Sequence, residues 1–458
     1  MRMRWRRCAN TLKMLKIFEM KNKIGIISLG CAKNLVNTEQ MMFLLSEAGF
    51  DVSGNIAGAD AVIVNTCGFI ESAKMEAIDT ILELSRARDE GRIGKIIVAG
   101  CLAERYKDDV MAQLPEIDCL VGVGSFEKIV DALKATLRGD NKPATFGDIN
   151  APLNEIGRII TTSPAWAYLK IAEGCDNRCA YCVIPDIRGR FRSRPAEKII
   201  DEARELADRG IKELIVVAQD VTRYGLDLYG KRSLVSLLKE LCDIDALRWI
   251  RLHYLYPDEI DDELVEIIAN CDKILKYLDI PIQHINDGIL QKMNRRYTGG
   301  EVRTLLEKLR ERIPGVVIRT SIIAGLPGEG EAEFEQLCDF LTEAKIERAG
   351  IFEYSPEEGT TAALMDKPDS DTAASRAQQL VDIQSRVMDQ FNENRIGSTT
   401  AVLIEGREDS QYYGRSFAES PDVDGWIRVN GNSVAIGEFV EVHITGAENG
   451  EPIGEICG

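Results

Sequence analysis

Three closely spaced cysteines carry the strongest chemical signal in this chain. Cys175, Cys179 and Cys182 form a C-x3-C-x2-C triplet within one short loop. Three thiolates at this spacing can hold three corners of a [4Fe–4S] cluster. A closed zinc or ferredoxin site would need a fourth ligand nearby, and the sequence around the loop offers neither a fourth cysteine nor a histidine. The triplet therefore predicts a cluster with one iron open to a small-molecule ligand.

Three further cysteines follow strand-like segments in the first quarter of the chain. Cys31, Cys67 and Cys101 each come directly after a short apolar run and lie beside a glycine. Helical patterns at 37–48 and 73–87 separate these runs, which indicates a parallel sheet. Because the carboxyl ends of parallel strands share one edge, we expect the three thiols to converge there as ligands of a second cluster. The remaining cysteines lack this pattern and are predicted to be packing or free thiols: Cys8, Cys119, Cys242, Cys271, Cys338 and Cys457.

Alternating strand and helix patterns fill the middle of the chain and predict an open (β/α)6 barrel. The predicted strands are 166–171, 213–218, 249–255, 277–281, 318–324 and 348–354. Polar residues that follow or end these strands, including Gln219, His253 and Arg319, should line the mouth of the barrel, where ligands bind.

The last sixty residues lose the helical periodicity and show short alternating runs between glycine and Asp/Asn turns, which predicts a small five-stranded β-barrel. The predicted α/β organisation is a basic, disordered leader (1–22), an N-terminal parallel α/β (Rossmann-like) domain (23–140), a linker (141–163), the barrel domain (164–396) and the small β-barrel (397–458). The leader has no apolar core of signal-peptide length.

Charge and cysteine content restrict the class of protein. The net charge is −18, and residues 397–458 carry three arginines against eleven Asp/Glu. Such a surface repels phosphates and attracts a basic protein. Twelve cysteines in 458 residues are too few for a disulfide scaffold, which favours a reducing, cytoplasmic location. The longest apolar runs have the length of strands, so no membrane span is expected.

The cysteine loop resembles the signature of the radical S-adenosylmethionine (SAM) superfamily, in which the open iron binds SAM. The settings of the N-terminal cysteines at 29–39, 65–70 and 98–102 narrow the resemblance to the methylthiotransferases, which end in a TRAM domain. The resemblance implies two [4Fe–4S] clusters, two SAM molecules per turnover and a catalytic role for the barrel triplet. It also implies SAM contacts in the turn 324–329, and the predicted cofactor-binding residues are Gly325, Gly328, Glu329, Gln219, His253 and Arg319.

The tail and one barrel strand resemble the branch of that family that modifies a ribosomal protein. Residues 413–425 contain its acidic Pro-x-Val-Asp-Gly turn, and Arg319-Thr320 stands where the tRNA branch commonly has Ser-Thr-Asp. The implied reaction adds a methylthio group to the β-carbon of an aspartate in small-subunit ribosomal protein twelve. The predicted substrate contacts are Glu419, Asp422 and Asp424. An electron donor and a sulfur source are required as further partners.

Two alternatives remain open from the sequence. One is a tRNA methylthiotransferase that modifies an adenosine beside the anticodon. The acidic tail argues against it, since tight tRNA binding needs a basic surface. The other is a non-enzymatic iron–sulfur or zinc scaffold, which the open-iron triplet and the SAM-like turn disfavour.

Overall fold

The structure is a computed structural model that describes residues 22–409, 411–431, 433–448 and 450–457. The predicted basic leader thus lies outside the described residues, apart from Asn22. Among the described residues, no helix combines the length and the apolar character that crossing a membrane requires.

The N-terminal domain is built on a six-stranded parallel sheet. Its strands are β1 (Lys23–Ser28), β2 (Asp51–Ser53), β3 (Ala61–Thr66), β4 (Lys95–Gly100), β5 (Cys119–Val121) and β6 (Ala144–Thr145). Its helices are α1 (Ala32–Glu47), α2 (Glu71–Asp89), α3 (Cys101–Tyr106), α4 (Asp108–Gln113) and α5 (Ile129–Arg138), with a 3-10 helix at Val123–Lys128. The strand order is β2-β1-β3-β4-β5-β6, and all neighbours are parallel.

The central strands have continuous apolar stretches because helices cover both faces of the sheet. On β3, Val62 and Val64 pack in one core with Ile81 of α2, whereas Ile63 packs in the opposite core with Met41 of α1. Alternate side chains of a strand point to opposite faces, so a strand covered on both sides reads as a continuous apolar run. This pattern made β1, β3 and β4 recognisable from the sequence.

The segment predicted as a linker, 141–163, contributes a strand and a buried arginine to the fold. Ala144 and Thr145 form β6, which pairs with β5, so the N-terminal sheet extends past the predicted boundary at 140. Further on, the buried Arg158 forms ion pairs with Glu39 of α1 (3.1 Å) and with Glu202 (2.7 Å). Glu202 belongs to the following domain. The linker therefore joins the two domains through a buried cation.

The central domain contains the predicted open barrel. Its strands are β7 (Trp166–Lys170), β8 (Ala172–Glu173), β9 (Arg192–Ser193), β10 (Glu213–Val217), β11 (Trp249–Leu252), β12 (Ile274–Asp279), β13 (Val317–Ala324) and β14 (Arg348–Glu353). Its helices are α6 (Ile184–Arg188), α7 (Ala196–Asp208), α8 (Leu226–Tyr229), α9 (Leu234–Cys242), α10 (Asp262–Asn270), α11 (Asp287–Lys292), α12 (Gly299–Arg312), α13 (Glu331–Ala344) and α14 (Ser370–Asn394), with 3-10 helices at Val221–Arg223, Pro257–Glu259 and Ala362–Leu364.

Six of these strands form one parallel sheet in chain order, β7-β10-β11-β12-β13-β14. The first and last strands are not hydrogen-bonded to each other, so the barrel is open, as predicted. Helix starts carry the expected capping chemistry. The carboxylates of Asp261 and Asp369 accept backbone N–H groups at the starts of α10 and α14.

The C-terminal domain is the predicted five-stranded β-barrel. Its strands are β15 (Thr399–Glu408), β16 (Gln411–Arg415), β17 (Ile427–Asn430), β18 (Phe439–Glu448) and β19 (Glu451–Ile456), and they close in the order β15-β16-β17-β19-β18. Alternate apolar residues of β15, β17 and β18, including Val402, Val429 and Val442, fill its interior.

One segment of this small barrel enters the open barrel. We call residues 415–424 the barrel-closing segment. It contacts every strand of the central sheet or the residue just after it, through the following pairs: Asp422 with Tyr168 (2.8 Å), Arg415 with Glu213 (2.7 Å), Phe417 O with Arg251 (2.9 Å), Ser420 with His253 (2.8 Å), Asp424 with Tyr277 and Arg319, and Glu419 with Arg348 (3.0 Å). The C-terminal domain thus covers part of the inner face of the central barrel.

Candidate active site between the N-terminal domain and the barrel

The N-terminal cysteines lie at the carboxyl ends of three neighbouring strands. Cys31 precedes α1, Cys67 follows β3 and Cys101 is the first residue of α3, after β4. Gly30 adopts φ +87°, and a Cβ at this position would lie 2.8 Å from Cβ of Cys67. Only glycine allows the two loops to approach this closely. The buried amide of Asn34 holds the loops together by donating to the carbonyl of Leu29, just after β1, and to that of Thr66, the last residue of β3.

Cations surround these thiols. Arg188 is 1% exposed, and its Nη2 donates to Sγ of Cys101 at 3.4 Å while Nη1 pairs with Glu173 at 2.8 Å. Burial raises the pKa of Cys67 to about 11. Burial would also raise the pKa of Cys31, but Lys33 and Arg188 outweigh it and lower that pKa. The positive surroundings favour bound thiolates and an anionic ligand.

The barrel triplet occupies the loop between β8 and α6. The backbone N–H of Cys175 donates to the carbonyl of Gly189 (3.1 Å), and that of Cys182 donates to the carbonyl of Cys179 (3.0 Å). Arg295 donates to Sγ of Cys179 at 3.4 Å. Burial raises the pKa of Cys175 to about 12 and raises that of Cys182 further. The loop therefore folds the three thiols inward, where bound iron would keep them deprotonated.

Both donor sets consist of thiols alone and therefore fit iron–sulfur clusters. Within each triplet the thiols are close enough for one ionised group to raise the pKa of another, as Cys101 does for Cys67 and as Cys179 does for Cys182. Within the described part of the chain, no three His, Cys, Asp or Glu side chains meet the geometry for a single metal ion.

The two triplets border one junction. Helix α6 begins two residues after Cys182, and its residue Ile187, together with Val183, packs against Cys101 and Phe69 of the N-terminal domain. Arg188 ends the same helix and reaches Cys101. The helix that follows one set of thiols therefore supports the other set. Arg188 was not predicted as a site residue, and the sequence signal for it is its position six residues after Cys182.

The predicted SAM-contacting turn follows β13 and uses two glycines in left-handed conformations. Gly325 has φ +79° and Gly328 has φ +82°, and a Cβ on Gly328 would lie 2.0 Å from Nζ of Lys292. Contact of Glu329 with SAM stays a prediction, and its side chain already has partners within the protein. Its carboxylate is fully buried, accepts the N–H of Gly325 (2.9 Å) and pairs with Arg376 (3.0 Å). Glu329 therefore fixes the shape of the turn.

The other three predicted cofactor contacts lie at the barrel mouth and already have protein partners. Gln219 donates to Glu173 at 2.9 Å. His253 is buried against Ser420 of the barrel-closing segment. Arg319 pairs with Asp279 at 2.8 Å. Contact of these three side chains with SAM stays a prediction.

Two of the three predicted substrate contacts in the tail, Glu419 and Asp424, are corrected by the burial of their side chains, and contact of Asp422 with the substrate stays a prediction. Glu419 is 0% exposed and pairs with Arg348 and Arg395, and the side chain of Asp424 is 5% exposed beside Tyr277. These two carboxylates bind the barrel and cannot attract a partner at the surface. Asp422 is exposed, although it accepts a hydrogen bond from Tyr168. Sequence reasoning placed them outside because acidic residues are seldom buried unless they are paired.

Comparison with known proteins agrees with this architecture. Residues 169–341 match the radical SAM superfamily, residues 23–122 match the uncharacterized protein family UPF0004, and residues 396–456 match the TRAM domain. The chain is 45% identical to the ribosomal protein uS12 methylthiotransferase RimO of Acetivibrio thermocellus, over 95% of this chain and 99% of the relative. It is 46% identical to the RimO protein of Caldanaerobacter subterraneus subsp. tengcongensis, over 95% of this chain and all of the relative.

The fold also resembles that of a solved radical SAM enzyme. The structure of TsrM from Kitasatospora setae, a radical SAM methyltransferase described with cobalamin and a [4Fe–4S] cluster, superposes with a TM-score of 0.56. The two proteins share 17% identity, and the match covers 75% of this chain and 77% of TsrM.

The superfamily match indicates SAM and an iron–sulfur cluster as cofactors, and the prediction of an enzyme is confirmed over the scaffold alternative. With such identity along nearly its whole length, the chain belongs to the RimO family of ribosomal protein uS12 methylthiotransferases, which are radical SAM enzymes.

Proposed function

We propose that this enzyme adds a methylthio group to the β-carbon of an aspartate in ribosomal protein uS12, with two [4Fe–4S] clusters and two SAM molecules per turnover. The observation that carries the proposal is the meeting of two thiol triplets, from separate domains, across one helix. Val183 and Ile187 pack against Cys101 there. In this proposal the substrate carbon enters at this junction, between the two sets of thiols.

The chain's residues have separate tasks in this reaction. The triplet Cys175, Cys179 and Cys182 holds one cluster, and the triplet Cys31, Cys67 and Cys101 holds the other. When bound, the cofactors supply a hydrogen-abstracting adenosyl radical at the barrel triplet and sulfur at the N-terminal triplet. Arg188 holds positive charge beside the N-terminal thiols. The barrel-closing segment fills the inner face of the barrel and excludes water from that side.

The exposed acids of the small barrel suit a basic ribosomal protein. The carboxylates of the C-terminal domain that do face solvent include Glu408, Asp409, Glu441, Glu448 and Glu455. They lie mainly on β15, β18 and β19, apart from the buried barrel-closing segment. Such a surface speeds the encounter with a cationic partner and disfavours tRNA. An electron donor and a sulfur source complete the set of proposed partners.

Substituting each triplet separately tests the division of labour. The variant Cys175/Cys179/Cys182→Ala should bind about half of the wild-type iron and sulfide after anaerobic reconstitution, because one of two clusters is lost. It should cleave no SAM. The variant Cys31/Cys67/Cys101→Ala should also lose about half of the iron but should still form 5′-deoxyadenosine. Full iron content in either variant, or loss of SAM cleavage in the second one, would contradict the assignment.

A further inference from the structure

Lys33 reaches from the N-terminal domain to the mouth of the barrel. It lies in the first turn of α1, two residues after Cys31, and is 7% exposed. Its Nζ lies 3.5 Å from the centre of the Tyr254 ring, which follows β11 of the central barrel. The ammonium group thus lies between Cys31, whose pKa it lowers, and the mouth of the barrel at Tyr254.

This ammonium group has no carboxylate partner among the described residues. Three other cations at the junction do have one. Arg188 and Lys170 both pair with Glu173, at 2.8 and 2.9 Å, and Arg319 pairs with Asp279 at 2.8 Å. A nearly buried ammonium is costly unless it is paired, and a ring face compensates only part of that cost. An arriving carboxylate would complete its pairing.

The ring that faces Lys33 is held in an unusual backbone conformation. Tyr254 has φ +62°, which is rare for a residue other than glycine. Hydrogen bonds on both sides hold it, since its N–H donates to Asp279 (3.3 Å) and its carbonyl accepts the N–H of Val221 (3.1 Å). Strained residues of this kind cluster at ligand-binding sites. The strain here aims the ring at the ammonium group.

We propose that Lys33 binds the side-chain carboxylate of the target aspartate, with the Tyr254 ring as the surface beneath its ammonium group. This inference rests on the proposed function and identifies Lys33 as the residue that recognises the target aspartate. The carbon to be modified is bonded directly to that carboxyl group, so fixing the carboxylate at Lys33 places the β-carbon beside the junction of the two triplets. The ion pair also distinguishes aspartate from the uncharged asparagine, since a lone ammonium gains far more from a charged acceptor.

A competing role for Lys33 is to offset negative charge on Cys31. In that case its loss would reduce the cluster content and would weaken the binding of any substrate equally, whether it carried aspartate or asparagine. A second competing role for Lys33 is to bind the carboxylate of SAM in place of the aspartate carboxylate. In that case loss of Lys33 would weaken SAM binding.

The experiment compares binding of purified ribosomal protein uS12 and of its target-Asp→Asn form to reconstituted enzyme. The Lys33→Met variant should bind the aspartate form about tenfold or more weakly and the asparagine form within about twofold of wild type. Iron content and SAM affinity should stay at wild-type levels. Lys33→Arg, which keeps a cation, should retain most of the preference for aspartate. The control Lys74→Met removes another lysine that joins the two domains, through Glu357 at 3.1 Å, and should change neither affinity.

Each other outcome is decisive. Equal weakening for both forms of uS12, loss of iron, weakened SAM binding, or no change in Lys33→Met would overturn the role of Lys33. If the Lys33→Met variant gives any of these results but the wild-type enzyme modifies uS12 normally, only the role of Lys33 is overturned and the proposed function stands. Wild-type enzyme that neither binds nor modifies uS12 would overturn the proposed function and this inference with it.

Discussion

Replacing Glu419 by alanine should destabilise the protein far more than replacing its neighbour Asp422. The Glu419 carboxylate is fully buried, pairs with Arg348 at 3.0 Å and with Arg395, and accepts the N–H of Ser416 at 3.0 Å. Arg348 belongs to β14 of the central barrel, whereas Ser416 belongs to the barrel-closing segment. The substitution leaves a buried guanidinium without its carboxylate at the contact between the two domains.

The free energy of unfolding of Glu419→Ala should be about 3–5 kcal/mol lower than that of wild type, which is the usual cost of removing one partner from a buried ion pair. For a unit of more than two hundred residues this corresponds to about 6–10 °C in the unfolding midpoint. Burial would raise the pKa of Glu419, but Arg395 and Arg348 outweigh it and lower that pKa to about 2. Because the folded-state pKa lies below the unfolded value of about 4.3, the stabilisation is complete above that value and is lost as pH falls towards 2.

Thermal unfolding of the apo-protein at several pH values provides the assay. The matched control is Asp422→Asn, which suits the left-handed backbone of this position (φ +67°) and removes only an exposed charge with one hydrogen bond to Tyr168. It should cost about 1 kcal/mol or less. The difference between wild type and Glu419→Ala should be constant near neutral pH and should shrink below about pH 4. Equal midpoints for the two variants would refute the argument that Glu419 anchors the barrel-closing segment.

Three further predictions concern other parts of the molecule. Burial lowers the pKa of His253 to about 3. The free energy of unfolding of wild type should therefore fall as pH drops below about 6.5, by up to ~1.4 kcal/mol per pH unit. In urea titrations at several pH values, His253→Gln should show a smaller dependence on pH. Gly174→Ala would place a Cβ 2.1 Å from the carbonyl oxygen of Arg190 at φ +79° and should lower the bound iron to about half, whereas Gly210→Ala, with φ +96° and open space, should retain it. Glu441→Gln with Glu455→Gln should slow association with uS12 and weaken its salt dependence in stopped-flow measurements, without shifting the melting midpoint, because both acids are exposed.

The sequence predicts the layout of the domains because the two parallel α/β domains and the small β-barrel differ in periodicity. Continuous apolar strands between helices indicate the two parallel sheets, and the loss of helical periodicity after Gly397 indicates the small barrel. The boundaries were less accurate. The two-residue strand β6 (Ala144–Thr145) is too short to leave a pattern and was assigned to the linker.

Local motifs predicted the six cysteine ligands. The burial of Glu419 and Asp424 and the contact of Lys33 with Tyr254 were not predicted, because they depend on contacts between distant segments of the chain. Glu419 and Asp424 were predicted at the surface because their arginine and tyrosine partners lie 24 to 147 residues away in the chain. In the fold, Glu419 meets Arg348 only because the small barrel docks inside the central one. Lys33 and Tyr254 show the same limitation, because only the packing of the N-terminal domain brings them together.

The most direct test of the account offers both candidate substrates to the reconstituted enzyme at once. Purified ribosomal protein uS12 and tRNA are incubated with SAM and a reductant under anaerobic conditions, and both are then analysed by mass spectrometry. The account predicts a methylthio group on one aspartate of uS12 and unmodified tRNA. A methylthio-adenosine in the tRNA with uS12 unchanged would contradict it.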